Sequence, residues 1–120
     1  MTSKRLVVKC TWGTERRETL FQAYTVAATA AASGIDVTLW LTGDATLTVL
    51  RDAPEETLEH SPGLTELRAT VLELGAIRVC SQCAKRRGLT EDALLEGVRI
   101  SGVADFVASS LDDGVQALVY

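Results

Sequence analysis

Short apolar runs alternate along the chain with longer stretches of helical periodicity. Leu6-Val7-Val8-Lys9-Cys10 is a β-rich run that stops at Thr11-Trp12-Gly13. Thr14 is placed to cap a helix starting at Glu15, in which Leu20, Tyr24, Ala27, Ala28 and Ala31 recur at helical spacing. Gly34 supplies its left-handed stop after Ser33. Ile35 to Leu41 has little polar interruption, the pattern of a strand covered on both faces, and ends at Thr42-Gly43-Asp44. Asp44 is placed to cap a short helix through about Leu50, and Arg51 to His60 reads as an exposed acidic connection.

The second half repeats the alternation. Ser61 as cap, Pro62 in the first helical position, Leu64, Leu67, Val71 and Leu74 on one face and Gly75 as stop predict a helix. Ala76 to Val79 is a third strand with Cys80 at its end. Ser81 to Arg87 is then a turn of helix ended by Gly88, and Thr90 opens another short helix that ends at Gly97. Val98-Arg99-Ile100 is a fourth strand. Val103, Phe106, Val107 and Leu111 line a last helix stopped at Gly114, and Val115 to Tyr120 is the fifth strand. Strands and helices in this order, joined by short connections, imply right-handed crossovers and a parallel, doubly wound sheet between helical layers. In such sheets the reactive site lies beyond the carboxyl ends of the strands. Thr11-Trp12-Gly13, Thr42-Gly43-Asp44 and Cys80 would converge there, with the first and third strands expected as neighbours.

A chain of 120 residues is one domain's worth, spanning residues 1–120, and 47% hydrophobic residues with 23% charged and only two prolines fit a globular fold rather than a disordered chain. The net charge of −4 gives no broad basic surface, and Lys85-Arg86-Arg87 is too short to track a polyanion, so nucleic acid is not expected as a partner. The apolar stretch from Tyr24 to Leu41 is broken by Ser33-Gly34 and Asp36, a helix followed by a strand instead of a membrane span. Leu6-Val7-Val8 after Met1-Thr2-Ser3-Lys4-Arg5 is too short for the apolar region of a signal peptide. The expected compartment is the cytosol.

Three cysteines, two of them spaced as Cys80-Ser81-Gln82-Cys83, are too few for a disulfide framework and point to free, reactive or metal-bound thiols. A thiol at the start of a helical turn, with cations following, is pushed towards thiolate, the form that attacks a persulfide and takes its outer sulfur. Cys80 would be the carrier, and Cys83 would either resolve the persulfide through an internal disulfide or only pack. A thioredoxin-type motif needs a later cis-proline, and Pro54 and Pro62 both precede this one. A four-thiolate zinc site is excluded by number. A three-thiolate site with Cys10 stays open if the first and third strands are neighbours, against the reading of Cys10 as a buried apolar residue. Trp12 and Trp40 either flank the site or fill core, and Lys85, Arg86 and Arg87 either hold an anion or form a solvated turn. His60, the one histidine, sits in the acidic connection and is assigned no role. Thr42-Gly43-Asp44 has one glycine where a nucleotide cradle needs several, and no Ser-His-Asp set has a believable context.

The segment Val79-Cys80-Ser81-Gln82-Cys83-Ala84-Lys85-Arg86-Arg87-Gly88-Leu89 resembles the signature of the DsrE/DsrF-like sulfur-relay family, and the likeness extends over nearly the whole chain. The opening strand with its small polar loop, the Ala-rich helix ending in Ser33-Gly34 and the Gly97-Val98 step into a late strand follow that family's layout. The resemblance implies a three-layer α/β/α fold with a five-stranded, mostly parallel sheet, assembly into a homotrimer or homohexamer, and, in the carrier branch, a persulfide on the cysteine matching Cys80. Arg87, beside Gly88, is the best match to the family's cation. Cys83 departs from the TusD-type carriers, which lack a cysteine there, and matches small members that carry both.

The expected function is therefore sulfur relay. Cys80, Cys83 and Arg87 carry the chemistry, Thr11, Trp12, Gly13, Thr42, Gly43 and Arg86 are candidates for the cleft, and donor and acceptor proteins are the partners. No cofactor or resident metal is expected, and whether the protein is an enzyme or a carrier stays open. The alternative is an oligomeric small-ligand or metal-binding module with a structural or redox-sensing Cys-x-x-Cys.

Overall fold

The computed structural model describes residues 4–120; Met1 to Ser3, part of the stretch read for a signal peptide, lie outside them. The strands are β1 (Arg5–Cys10), β2 (Asp36–Leu41), β3 (Ala76–Cys80), β4 (Arg99–Ser101) and β5 (Val115–Val119), and the helices are α1 (Arg17–Ala32), α2 (Leu64–Leu74), α3 (Ser81–Arg86) and α4 (Val103–Leu111). The strands form one sheet in the order β4-β3-β2-β1-β5, and every pairing is parallel. Right-handed crossovers then place α1 and α2 on one face, and α4, which returns from the β4 edge to the β5 edge, on the other. Among the described residues no helix is long and apolar enough to cross a membrane.

The two faces are unequal. Val8, Cys10, Val37, Leu39, Leu41, Ile77 and Val79 point towards α1 and α2, where Leu20, Phe21, Tyr24, Leu64, Leu67 and Val71 close the main core. Each large apolar side chain buried there contributes roughly 1.5–3 kcal/mol. The small Ala23, Ala27, Ala28 and Ala31 keep α1 close to the sheet. Within this core the Tyr24 hydroxyl bonds Thr48 Oγ1 at 2.8 Å and Arg68 Nη1 donates to the Thr48 carbonyl at 2.7 Å, whereas the buried Trp40 Nε1 on the opposite face of the sheet has no partner among the described residues. On the other face no residue of α4 is buried, and Val103, Val107, Leu111 and Val119 are 58%, 48%, 78% and 65% exposed.

Several local readings are corrected. β2 lies between β1 and β3, so the first and third strands are not neighbours. In place of a helix from Glu15, a 3₁₀ turn over Thr14–Arg16 precedes α1, with no side-chain cap from Thr14. Asp44 likewise caps nothing; Gly43–Val49 is a 3₁₀ stretch that follows Thr42. α2 starts two residues after Pro62. Its first-turn amide, Thr65 N–H, donates to Glu55 Oε1 at 3.0 Å, so a carboxylate from the preceding connection takes the part expected of Ser61. That bond, with the Thr65 hydroxyl and the Glu56 amide, holds the Glu55 carboxyl below the usual carboxylate range. Thr90 opens only a 3₁₀ turn, Glu91–Ala93, and β4 begins at Arg99 instead of Val98.

Gly75 ends α2 for a reason that its φ of −140° does not reveal. A Cβ at this position would stand 2.7 Å from the Val37 carbonyl oxygen of β2, so only glycine lets β3 follow α2 directly into the sheet. Gly75→Ala is expected to destabilise the fold by about 1–3 kcal/mol through that overpacking, read as a lower urea midpoint with an unchanged slope.

Candidate functional site

Cys80 closes β3 with extended backbone, φ −60° and ψ 127°, and the chain turns at once into α3. One helical turn later comes Cys83, a spacing that brings the two side chains onto one face. Cys80 is partly exposed and Cys83 is 7% exposed, and both are free thiols. Gly43, held in the left-handed region at φ 56° just past β2, aims its N–H at Cys83 Sγ at 3.3 Å. Arg86 Nη1 approaches the same sulfur at 4.0 Å.

Partial burial pushes the Cys80 thiol up, but four contacts outweigh it. The backbone amide and side chain of Cys83, the Gln82 amide and the charge of Arg86 all favour the thiolate, and the thiol is held below its ordinary value. Cys10 shows the opposite case. Its burial raises the thiol and outweighs a lowering backbone hydrogen bond from Trp12, and its S–H donates to the Trp12 carbonyl at 3.2 Å, which favours the protonated form.

The Cys80 thiol lies at a cleft of about 220 Å³ under α4. Trp40 and Phe106, in edge-to-face contact at 5.5 Å, make its apolar wall with Val103, and the Lys9 ammonium sits 5.2 Å from the Phe106 ring centre. Thr42 and Gln82 supply polar edges. Two larger hollows, of about 330 Å³ beside His60 and about 300 Å³ beside Asp44 and Thr48, contain no thiol. His60 itself is exposed there, its ring against Glu59.

Of the residues singled out in the sequence, Thr42, Gly43, Cys80, Cys83 and Arg86 come together. Arg87 is turned away from the sulfurs: its Nε and Nη2 bond Asp44 Oδ1 at 2.9 and 2.8 Å, and its Nη1 bonds the Cys83 carbonyl at 3.2 Å. Thr11, Trp12 and Gly13 lie outside the cleft. Thr11 Oγ1 donates to the Tyr120 carbonyl at 2.7 Å, Trp12 carries the Arg16 guanidinium 4.4 Å from its ring centre, and Gly13 packs against the Asp44 backbone. Cys10 does not join the thiol pair. It stands opposite Leu41, which stands opposite Val79, all facing α1 and α2, whereas Cys80 is one residue on and faces α4. The three-thiolate reading fails on that parity, and no group of three or more potential metal ligands occurs among the described residues. Lys9, Gln82, Val103 and Phe106 were not singled out by the sequence. The polar Lys9 within an apolar strand was the one local signal, and its pairing opposite Trp40 is a matter of register.

A model of the DsrE/DsrF-like family matches residues 4–119. An uncharacterized protein of Methanocaldococcus jannaschii is 31% identical over 104 residues, 86% of each chain. One of Methanopyrus kandleri is 30% identical over 92 residues, 76% of this chain and 74% of that one. Among solved structures, the fold matches the YchN protein of E. coli with a TM-score of 0.80 at 19% identity, covering 98% of this chain and 99% of that one. A protein of unknown function from Methanobacterium thermoautotrophicum matches with a TM-score of 0.70 at 20% identity, over 98% and 100% of the two chains.

The contrast between the thiols is directly measurable by iodoacetamide labelling over a pH series with peptide mapping. A lowered thiol keeps its thiolate to lower pH, so the labelling midpoint of Cys80 is expected below the ~8.5 of an ordinary thiol. Arg86→Gln is expected to move that midpoint upward, and Cys10 to stay unlabelled until the protein is unfolded.

Proposed function

The chain belongs to the DsrE/DsrF-like family, and from that premise we propose that it is a sulfur-relay protein carrying sulfane sulfur on Cys80. The observation that supports this most is the partly exposed Cys80 thiol, held below its ordinary value at the mouth of a cleft. The Cys80 thiolate attacks the outer sulfur of a donor persulfide, the donor's S–S bond breaks, and the donor leaves as a thiolate. An acceptor thiolate then attacks the outer sulfur now on Cys80, and Cys80 departs as thiolate. A thiol of lowered pKa is a good leaving group, which suits the second step as well as the first. Arg86 supports the thiolate. Arg87 acts at one remove, tying α3 to the Gly43 turn through Asp44 and so positioning the amide that meets Cys83.

The partners of this reading are a sulfur donor protein, an acceptor protein and further copies of the chain, in the cytosol, where thiols stay reduced. No cofactor is needed, since every step is a thiol exchange. Self-association into a trimer or hexamer uses the α4 and β5 face, where four large apolar side chains are about half or more exposed. Sedimentation of the wild type should give the mass of a trimer or hexamer, and Val107→Asp a smaller species; a monomeric wild type removes this part of the proposal.

Intact-protein mass spectrometry with peptide mapping, after exposure to polysulfide or a persulfide-forming desulfurase, tests the carrier itself. The expected result is the added mass of one sulfur atom on Cys80 at the first time points in the wild type and its absence throughout in Cys80→Ser. A Cys80 that stays unmodified defeats the relay reading and leaves a small-ligand binding module in its place.

A further inference from the structure

We propose that this protein also cleaves its own persulfide: the Cys83 sulfur attacks Cys80 Sγ, closes an internal disulfide and expels hydrosulfide. The inference rests on the relay reading, which loads Cys80, and assigns the loaded sulfur a second fate.

Three observations point to it. Cys83 follows Cys80 by one helical turn and both side chains line the same cleft, which brings the inner sulfur of any Cys80 persulfide within reach of Cys83. Two donors, the Gly43 N–H and Arg86 Nη1, converge on Cys83 Sγ at 3.3 and 4.0 Å, polar contacts that fix the position of that sulfur and that apolar helix packing does not call for. At 7% exposure Cys83 is also poorly placed to meet thiols of other molecules, which leaves Cys80 as its reaction partner. The outer sulfur, extending from Cys80 Sγ, has the cleft walled by Trp40 and Phe106 as its space and an outlet for the leaving group.

The step balances without an outside reagent. A Cys80 persulfide anion and the Cys83 thiol become a Cys80–Cys83 disulfide and HS⁻. The Sγ–Sγ bond forms, the bond from Cys80 Sγ to the outer sulfur breaks, and the Cys83 proton ends on the hydrosulfide. The sulfane sulfur gains two electrons, one from each protein thiol. A further round requires an external dithiol to reduce the disulfide by exchange. The competing path is attack on the outer sulfur, which expels the Cys80 thiolate and moves the persulfide to Cys83 with no sulfide released.

To decide between these fates, wild type and Cys83→Ser are loaded anaerobically with polysulfide and desalted. Released sulfide and intact mass are then followed with time, with peptide maps at the end. The wild type should release about one sulfide per chain and finish two hydrogens lighter than the dithiol form, with Cys80 joined to Cys83; Cys83→Ser should keep its persulfide on Cys80, losing sulfide at least ~10-fold more slowly. The wild-type measurement stands by itself should the variant fold poorly. A wild type that holds its Cys80 persulfide as long as the variant does, or carries it on Cys83, overturns the inference while leaving the relay intact. Failure of Cys80 to load in either protein overturns the relay, and the inference with it.

Discussion

The pairing of β2 with β3, in which Leu41 stands opposite Val79, is the contact on which the site depends. It places Ile77 and Val79 in the core and leaves Cys80, one residue further, on the opposite face at the carboxyl edge of the sheet. Because side chains alternate with a period of two, a slip of one residue would bury Cys80 against α1 and expose Val79 to the cleft. Gly75 keeps the register by letting the Val37 carbonyl come within a distance no Cβ tolerates. The Cys80 thiol is thus located by backbone packing some distance from it.

Cys10 and Cys80 close their strands in the same way and differ in everything that matters chemically. Cys10 faces the core, where desolvation disfavours a thiolate. Cys80 faces the thinly covered side of the sheet, where its contacts with Cys83 and the Gln82 amide, with the charge of Arg86, together outweigh the penalty of partial burial. That thin cover is itself a consequence of topology. α1 and α2 shield one face, while α4 alone spans the other, so a cleft and an apolar surface remain there together.

The neighbouring arginines divide their work by direction. Arg86 reaches towards the sulfurs, and Arg87 is bound to Asp44 and the Cys83 carbonyl. The ion pair is partly exposed and worth little by itself. Its importance is geometric, since it fastens α3 to the loop whose Gly43 amide addresses Cys83. Through this tie the loop after β2 and the helix after β3 form one unit around the thiol pair.

The strand and helix order, the parallel doubly wound class and the position of Cys80 at a strand end were legible from residue pattern, because period and punctuation are local properties of the chain, and the family from the resemblance carried by the segment around Cys80. Thr42 and Gly43 were legible as candidates from the carboxyl end of β2, and Arg86 as a cation following Cys80, whereas the same strand-end reasoning also pointed to Thr11, Trp12 and Gly13, which lie outside the cleft. Helix starts were less so: the cap of α2 comes from Glu55, a partner ten residues from the Thr65 amide that no short motif encodes. Only the tertiary structure put β2 between β1 and β3, sent Arg87 to Asp44 and brought Lys9 and Phe106 to the cleft. The reason is that strand order, register and side-chain direction are set by contacts between segments far apart in the chain, whereas the sequence by itself specifies which segments exist and which face of each is apolar.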